Sequence, residues 1–225
     1  MATLQRVCCK LAVGFSLAMC AGPLFAQPAV DGQWSSVIDW PIQAIHGIML
    51  PNDKLLVWQS WATSAALWDP ATGNFEDSQF PSVNIFCSGH AWLPDGRLLV
   101  VGGQRPDGIS FGEPFADIYD PYNNTWASQD PSVPDVPAMG AGRWYPSATT
   151  LGNGDVLVMS GDMSPSLGAN PLPQVYDHQT NTWRNLTGAM QVLPLYPRTF
   201  LAPDGRAIWL SNHQNETQYI YVSRT

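Results

Sequence analysis

Three oxidisable side chains in this sequence stand at one matched spacing. Cys87, Tyr145 and Tyr196 each lie seven residues before a turn-forming position, at Pro94, Gly152 and Pro203. The corresponding residue before Pro51 is Ala44, and His46 follows it by two. An unpaired thiol can be committed to covalent chemistry, and an imidazole is a metal donor. Each residue also has a plainer role open to it. Cys87 serves equally as a small buried hydrophobe and Tyr145 as a packed ring with a satisfied hydroxyl.

The elements that must position these residues come from a repeat. Four segments share a tight turn running into an apolar strand: Leu50–Trp58, Leu93–Val101, Leu151–Met159 and Ala202–Leu210. Their Asn/Asp-Gly pairs are expected to close two-residue hairpins, and the apolar runs suit strands buried on both faces. A second shared element follows in three units, at Ala66–Phe75, Asp117–Trp126 and Gln174–Trp183, and reads as strand, turn, aromatic, strand. Residues at one offset in successive units occupy equivalent places on the innermost strands, so Cys87 and Tyr145 are expected to be neighbours at one end of a central tunnel.

A repeat near 50 residues with a Gly pair at Gly102-Gly103 and a late Trp resembles the kelch motif of β-propeller blades. The resemblance implies an all-β, kelch-type β-propeller, here about four blades of an incomplete, seven-bladed ring. The alternative architecture is an antiparallel sandwich with coincidental turns. The chain reads as a portion of a longer product, truncated at its C-terminus.

Residues 1–26 read as a secretory signal peptide, with Arg6 and Lys10 before an apolar run from Leu11 to Phe25 and cleavage after Ala26. A lipoprotein reading at Cys20 is opposed by bulky Met19 at a position that wants a small residue. Residues 27–225 then form the propeller portion, secreted or periplasmic and without a membrane span. Removing the leader takes Cys8, Cys9 and Cys20 with it and leaves Cys87 unpaired. It also leaves eight basic residues against eighteen acidic ones, a balance that excludes nucleic acid as a partner. With 45% hydrophobic residues and ten Trp, a packed core is expected.

The segments Asn84-Ile85-Phe86-Cys87-Ser88-Gly89 and Gly142-Arg143-Trp144-Tyr145-Pro146 resemble two motifs of the copper-radical oxidases, galactose oxidase and glyoxal oxidase. That resemblance implies a thioether between Cys87 and the Tyr145 ring. The modified phenolate of Tyr145 would bind copper and carry a radical. The substrates would be a small alcohol, aldehyde or carbohydrate together with O2. The family pattern also demands a Tyr-His pair and a further His later in the chain; Tyr196 is followed by Pro197 and does not supply it.

The remaining histidines are weighed against copper. His46 shares strand parity with Cys87 and Tyr145 and is a candidate metal ligand; His90 has the opposite parity, and His178 and His213 fall in polar, turn-like runs. Arg143 and Trp144 either line a substrate mouth or serve as a salt bridge and a core indole. No Gly-x-Ser-x-Gly, His-Glu-x-x-His, P-loop or dinucleotide pattern is present. A rival to the oxidase is an exported kelch module that binds or supports without catalysis, with Cys87 and Tyr145 as packing residues.

Overall fold

The computed structural model describes residues 32–60, 64–79, 83–105, 112–210 and 217–222. The expected leader, His213 and the segment after Val222 lie outside them. Two compact units are distinguished, residues 1–39 and 40–225. In the first, the described stretch Gly32–Asp39 has no regular secondary structure. The described residues of the second are all-β, with short 3₁₀ turns at Ala127–Gln129 and Thr187–Ala189. Among the described residues no helix is long and apolar enough to cross a membrane.

The strands of the second unit form successive antiparallel meanders. The first sheet runs β1 (His46–Met49), β2 (Leu55–Trp58), β3 (Ala65–Trp68) and β4 (Phe75–Ser78), paired in that order. The second is β5 (Gly89–Trp92), β6 (Leu98–Val101), β7 (Ala116–Asp120) and β8 (Thr125–Trp126). The third begins with β9 (Ser147–Thr150) and β10 (Val156–Met159), after which a small ribbon of β11 (Asp162–Ser164) and β12 (Gly168–Ala169) intervenes. It then closes with β13 (Gln174–Asp177) and β14 (Thr182–Asn185). The last described sheet is β15 (Arg198–Leu201), β16 (Ala207–Leu210) and β17 (Thr217–Ile220). The first strands of neighbouring sheets converge, β9 lying against both β5 and β15. This is the arrangement of β-propeller blades.

Burial on both faces explains the second strands. Leu98–Val101 and Val156–Met159 are buried throughout, because each sheet is sandwiched between two others. Among the described residues apolar clusters fill the gaps between sheets, one of them joining Leu56, Trp58 and Leu67 to Leu98, Val100 and Trp126. Each large side chain so buried is worth about 1.5–3 kcal/mol.

The turns correct one expectation. The hairpin between the first two strands of each blade has three loop residues, as in Pro94-Asp95-Gly96, with Leu93 N donating to Arg97 O at 2.9 Å. A single left-handed residue closes the loop in every sheet: Asp53, Gly96, Gly154 and Gly205. One positive φ suits a type I turn with a bulge, whereas a two-residue turn of the same sequence needs two.

A second device locks blade to blade. Trp126 Nε1 donates to Gln79 O at 2.9 Å and Trp183 Nε1 to Pro137 O at 2.7 Å, each reaching the connector of the preceding blade. Beside them Asn124 and Asn181, both left-handed, donate to Asp77 O and Asp135 O. Tyr119 and Tyr176 hydroxyls hold those Asn side chains through their Oδ1 atoms. The late Trp of the repeat thus does two jobs, filling the core and satisfying a connector carbonyl.

Candidate functional site

Cys87, Tyr145 and Tyr196 occupy one structural position, two residues before β5, β9 and β15 begin. All three adopt left-handed backbone, with φ of 59°, 65° and 46°. For residues other than Gly and Asn that conformation costs about 1–3 kcal/mol and persists only where its surroundings enforce it. Around Cys87 the enforcement is visible. Ser88 N donates to Ile85 O at 3.1 Å to close the turn, and Phe86 N is tied to Asn84 Oδ1 at 3.0 Å.

A ladder of hydrogen bonds runs through the equivalent positions. Tyr196 N donates to Tyr145 O at 2.9 Å, and Tyr145 N donates to Cys87 O at 2.9 Å. Cys87 N donates at 2.9 Å to Nε2 of His46, so in the first blade an imidazole replaces the backbone carbonyl. The Gly pair after β6 brings the two motifs to this distance. A Cβ on Gly102 would collide with the Arg143 carbonyl, and one on Gly103 with the Asn84 carbonyl.

The side chains gather around the sulfur. Cys87 is 4% exposed, and burial raises its thiol, with the polar groups of Tyr145, Trp144 and Tyr196 working the other way. Burial, with the thiol beside it, pushes the Tyr145 phenol up to about 12. The Tyr196 phenol is raised as well, by burial and by its neighbours Cys87 and Tyr145. The Tyr145 ring lies 4.2 Å from the Trp144 ring and 5.0 Å, edge-on, from Tyr196. Below them a groove of about 480 Å³ runs along the inner strands, lined by His46, His90, Ser147, Tyr196 and Arg198 among others.

His46 stacks on Trp58 at 5.0 Å, and burial lowers its imidazole to about 4, with His90 adding a smaller push. The ring is therefore neutral at pH 7 and its Nε2 lone pair is spent on the Cys87 amide, which puts the proton on Nδ1. Coordinating a metal through Nε2 would break that bond. Arg143 is fully buried and binds Ser160 O, Leu172 O and Gln174 Oε1, all neutral oxygens, at 2.6–3.0 Å. Of the two roles weighed for it, its geometry is that of a strut under Tyr145, held by carbonyls and an amide in place of a salt bridge. Burial lowers its guanidinium to about 10, still charged at neutral pH.

No protein-family model matches the chain. A galactose oxidase of Gibberella zeae is 27% identical over 177 residues, covering 72% of this chain and 24% of that protein. The aldehyde oxidase GLOX of Vitis pseudoreticulata is 27% identical over 181 residues, covering 77% of this chain and 31% of that one. The chain is similar to the copper-radical oxidases. It spans about a quarter to a third of the length of these two relatives. The fold agrees: a fungal alcohol oxidase of the AA5 family, solved in complex with copper, superimposes with a TM-score of 0.57 at 22% identity. That match covers 83% of this chain and 43% of the oxidase.

Against that family's chemistry the described residues fit in part. Tyr145 offers one phenol with a thiol beside it, and a single phenolate does not hold copper. A second polar cluster lies elsewhere: Asp155, Asp177 and His178 bring ligand atoms within 4.8 Å of one another, with His178 Nδ1 3.1 Å from Asp155 Oδ1. The repeat carried a signal for it, because Asp155 stands where the other three blades have Lys54, Arg97 and Arg206.

Proposed function

We propose that this chain is the propeller portion of a copper-radical oxidase that takes an alcohol or aldehyde to its next oxidation level and returns the electrons to O2 as hydrogen peroxide. The single observation that carries the reading is the placement of Cys87 and Tyr145, joined through their backbones at 2.9 Å, with the thiol and the phenol each acting on the other's titration. A position that wants Gly or Asn holds a thiol at one blade and a phenol at the next. Packing alone gives no reason to bear that strain at three successive blades.

In this reading Cys87 and the Tyr145 ring form a thioether, and Tyr145 is a copper ligand. Copper, when bound, supplies the one-electron partner to the modified phenolate. The further ligands belong to residues not described beside the pair, so the chain on its own is expected to turn over no substrate. The groove beside Tyr196 and Arg198 would admit the alcohol, aldehyde or carbohydrate, and residues 1–26 would export the product.

A second reading rests on His46, whose Nε2 serves the Cys87 amide and so behaves as a structural part of a kelch module without a metal. Peptide mapping separates the two. Trypsin leaves Cys87 on residues 55–97 and Tyr145 on residues 144–184. After exposure of the purified chain to copper(II) and air, the oxidase reading expects these peptides joined with a loss of about 2 Da, the mass of two hydrogens. A free Cys87 thiol after that treatment supports the binding module.

A further inference from the structure

Tyr196 shares the position of Cys87 and Tyr145, yet the resemblance to the oxidases gives it no role. It is tied into the pair at three points. Its amide donates to Tyr145 O at 2.9 Å, its ring stands edge-on to the Tyr145 ring at 5.0 Å and 76°, and its hydroxyl donates to Ser88 O at 3.2 Å. The last contact spans from β15's entrance to the residue after Cys87. The Cys87 thiol consequently has two phenols for neighbours, both of which act on its titration.

Two phenols beside one thiol pose a choice that the linking chemistry has to resolve. Forming the thioether makes one S–C bond at a ring carbon ortho to the phenol hydroxyl. The S–H and that C–H are lost, and the two electrons and two protons reduce one O2 to hydrogen peroxide. Either ring has such a carbon, so selection falls to geometry: the ring whose edge meets the sulfur reacts. Tyr196 is anchored at both ends, by its amide to one blade and by its hydroxyl to another, whereas the Tyr145 ring is held between the Trp144 and Tyr196 rings.

We infer that Tyr196 is a positioning residue, whose anchored ring fixes Tyr145 against the Cys87 sulfur and keeps its own ring out of the reaction. The inference rests on the oxidase reading for its chemistry, and on the three contacts above for its geometry.

The test uses the full chain and the variants Tyr196→Phe, Tyr196→Leu and Tyr145→Phe, each checked for native folding by near-UV circular dichroism. Trypsin places Tyr196 on residues 185–198, separate from Tyr145, so the partner of Cys87 is read from which peptides are joined. After copper(II) and air, the natural sequence is expected to link Cys87 to Tyr145 alone. Tyr196→Leu should link about ten-fold more slowly and Tyr196→Phe, which keeps the ring, within about three-fold of the natural rate. Equal rates in Tyr196→Leu and the natural chain overturn the positioning role and leave the oxidase reading standing. So does a link to Tyr196 in the natural chain.

If the natural chain forms no link at all, the oxidase reading fails, and positioning is judged on the metal-free protein by alkylation of Cys87 with iodoacetamide. Tyr196→Leu is then expected to react about five-fold faster, with Tyr196→Phe within about two-fold of the natural chain. The same alkylation rate in all variants overturns the inference.

Discussion

The amide of Tyr145 binds the carbonyl of Cys87 across the gap between two blades, at 2.9 Å, and both residues are left-handed. The strain and the contact belong together. With φ near +60° each residue turns its amide toward one neighbour and its carbonyl toward the other, so the ladder from His46 to Tyr196 forms without a strand.

Substitutions at residue 87 separate strain from chemistry. Cys87→Gly relieves the left-handed backbone, worth about 1–2 kcal/mol, while losing the burial of a small side chain of similar value. Its urea midpoint is expected to match the natural chain within about 1 kcal/mol. Cys87→Val puts a β-branched residue at positive φ and should lose about 2 kcal/mol or more. A Cys87→Gly chain destabilised as much as Cys87→Val would mean that the thiol is a core residue first.

The Gly pair sets how close the two motifs stand. Gly103→Ala drives a Cβ into the Asn84 carbonyl, and the backbone that carries Cys87 must move. A loss of about 2 kcal/mol or more is expected in urea, as for other forced backbone shifts in packed interiors, together with faster alkylation of Cys87. An unchanged midpoint would show that the approach is soft.

The propeller's repeat was legible because its signals are local: turn, apolar run, turn, Trp. Counting from those turns also brought Cys87, Tyr145 and Tyr196 to one position, since equivalent offsets on inner strands meet near an axis. What the sequence does not display is backbone sign. Nothing in Cys or Tyr announces a left-handed residue, so the ladder was invisible, as was the His46 imidazole standing in for a carbonyl. The hairpin loops were read one residue short because an Asp-Gly pair suits both loop lengths. Asp155 was passed over although three basic residues at its offset marked it as the exception.

His46 supplies a pH dependence with a defined sign. Its folded value of about 4 lies below the ordinary 6.5, so between those values the unfolded chain binds a proton that the folded chain refuses. Stability is therefore full above pH 6.5 and falls as the pH drops toward 4, by on the order of 3 kcal/mol. His46→Gln keeps an acceptor for the Cys87 amide and removes the titration. The urea midpoint of the natural chain relative to His46→Gln should rise with pH and level off above 6.5; a constant difference would refute the assignment.

The blade-locking Trp residues allow burial and hydrogen bonding to be told apart. Trp126 is fully buried, and Trp126→Ala is expected to cost about 3–5 kcal/mol in equilibrium unfolding. Trp183 is only half-buried, so Trp183→Phe mainly deletes the bond from Nε1 to Pro137 O, worth about 1 kcal/mol. Should Trp183→Phe cost as much as Trp126→Ala, the connector carbonyl and not the core would be the dominant lock.

Arg143 is the most demanding of these residues, because a buried cation is matched by dipoles alone. Its guanidinium satisfies Ser160 O, Leu172 O and Gln174 Oε1, which come from the end of β10, the approach to β13 and β13 itself. Arg143→Met fills much of the volume but leaves three buried acceptors unpaired, each costing about 1–3 kcal/mol. Arg143→Lys keeps the charge yet cannot reach three oxygens in one plane, so it should recover less than half of the loss. Because Arg143 O also accepts from Gly103 N, slack in this strut is carried directly to the Cys87–Tyr145 pair. Both variants are expected to raise the alkylation rate of Cys87 in proportion to their loss of stability. A destabilised Arg143→Met chain whose Cys87 stays as protected as before would show that the strut supports the third blade and not the site.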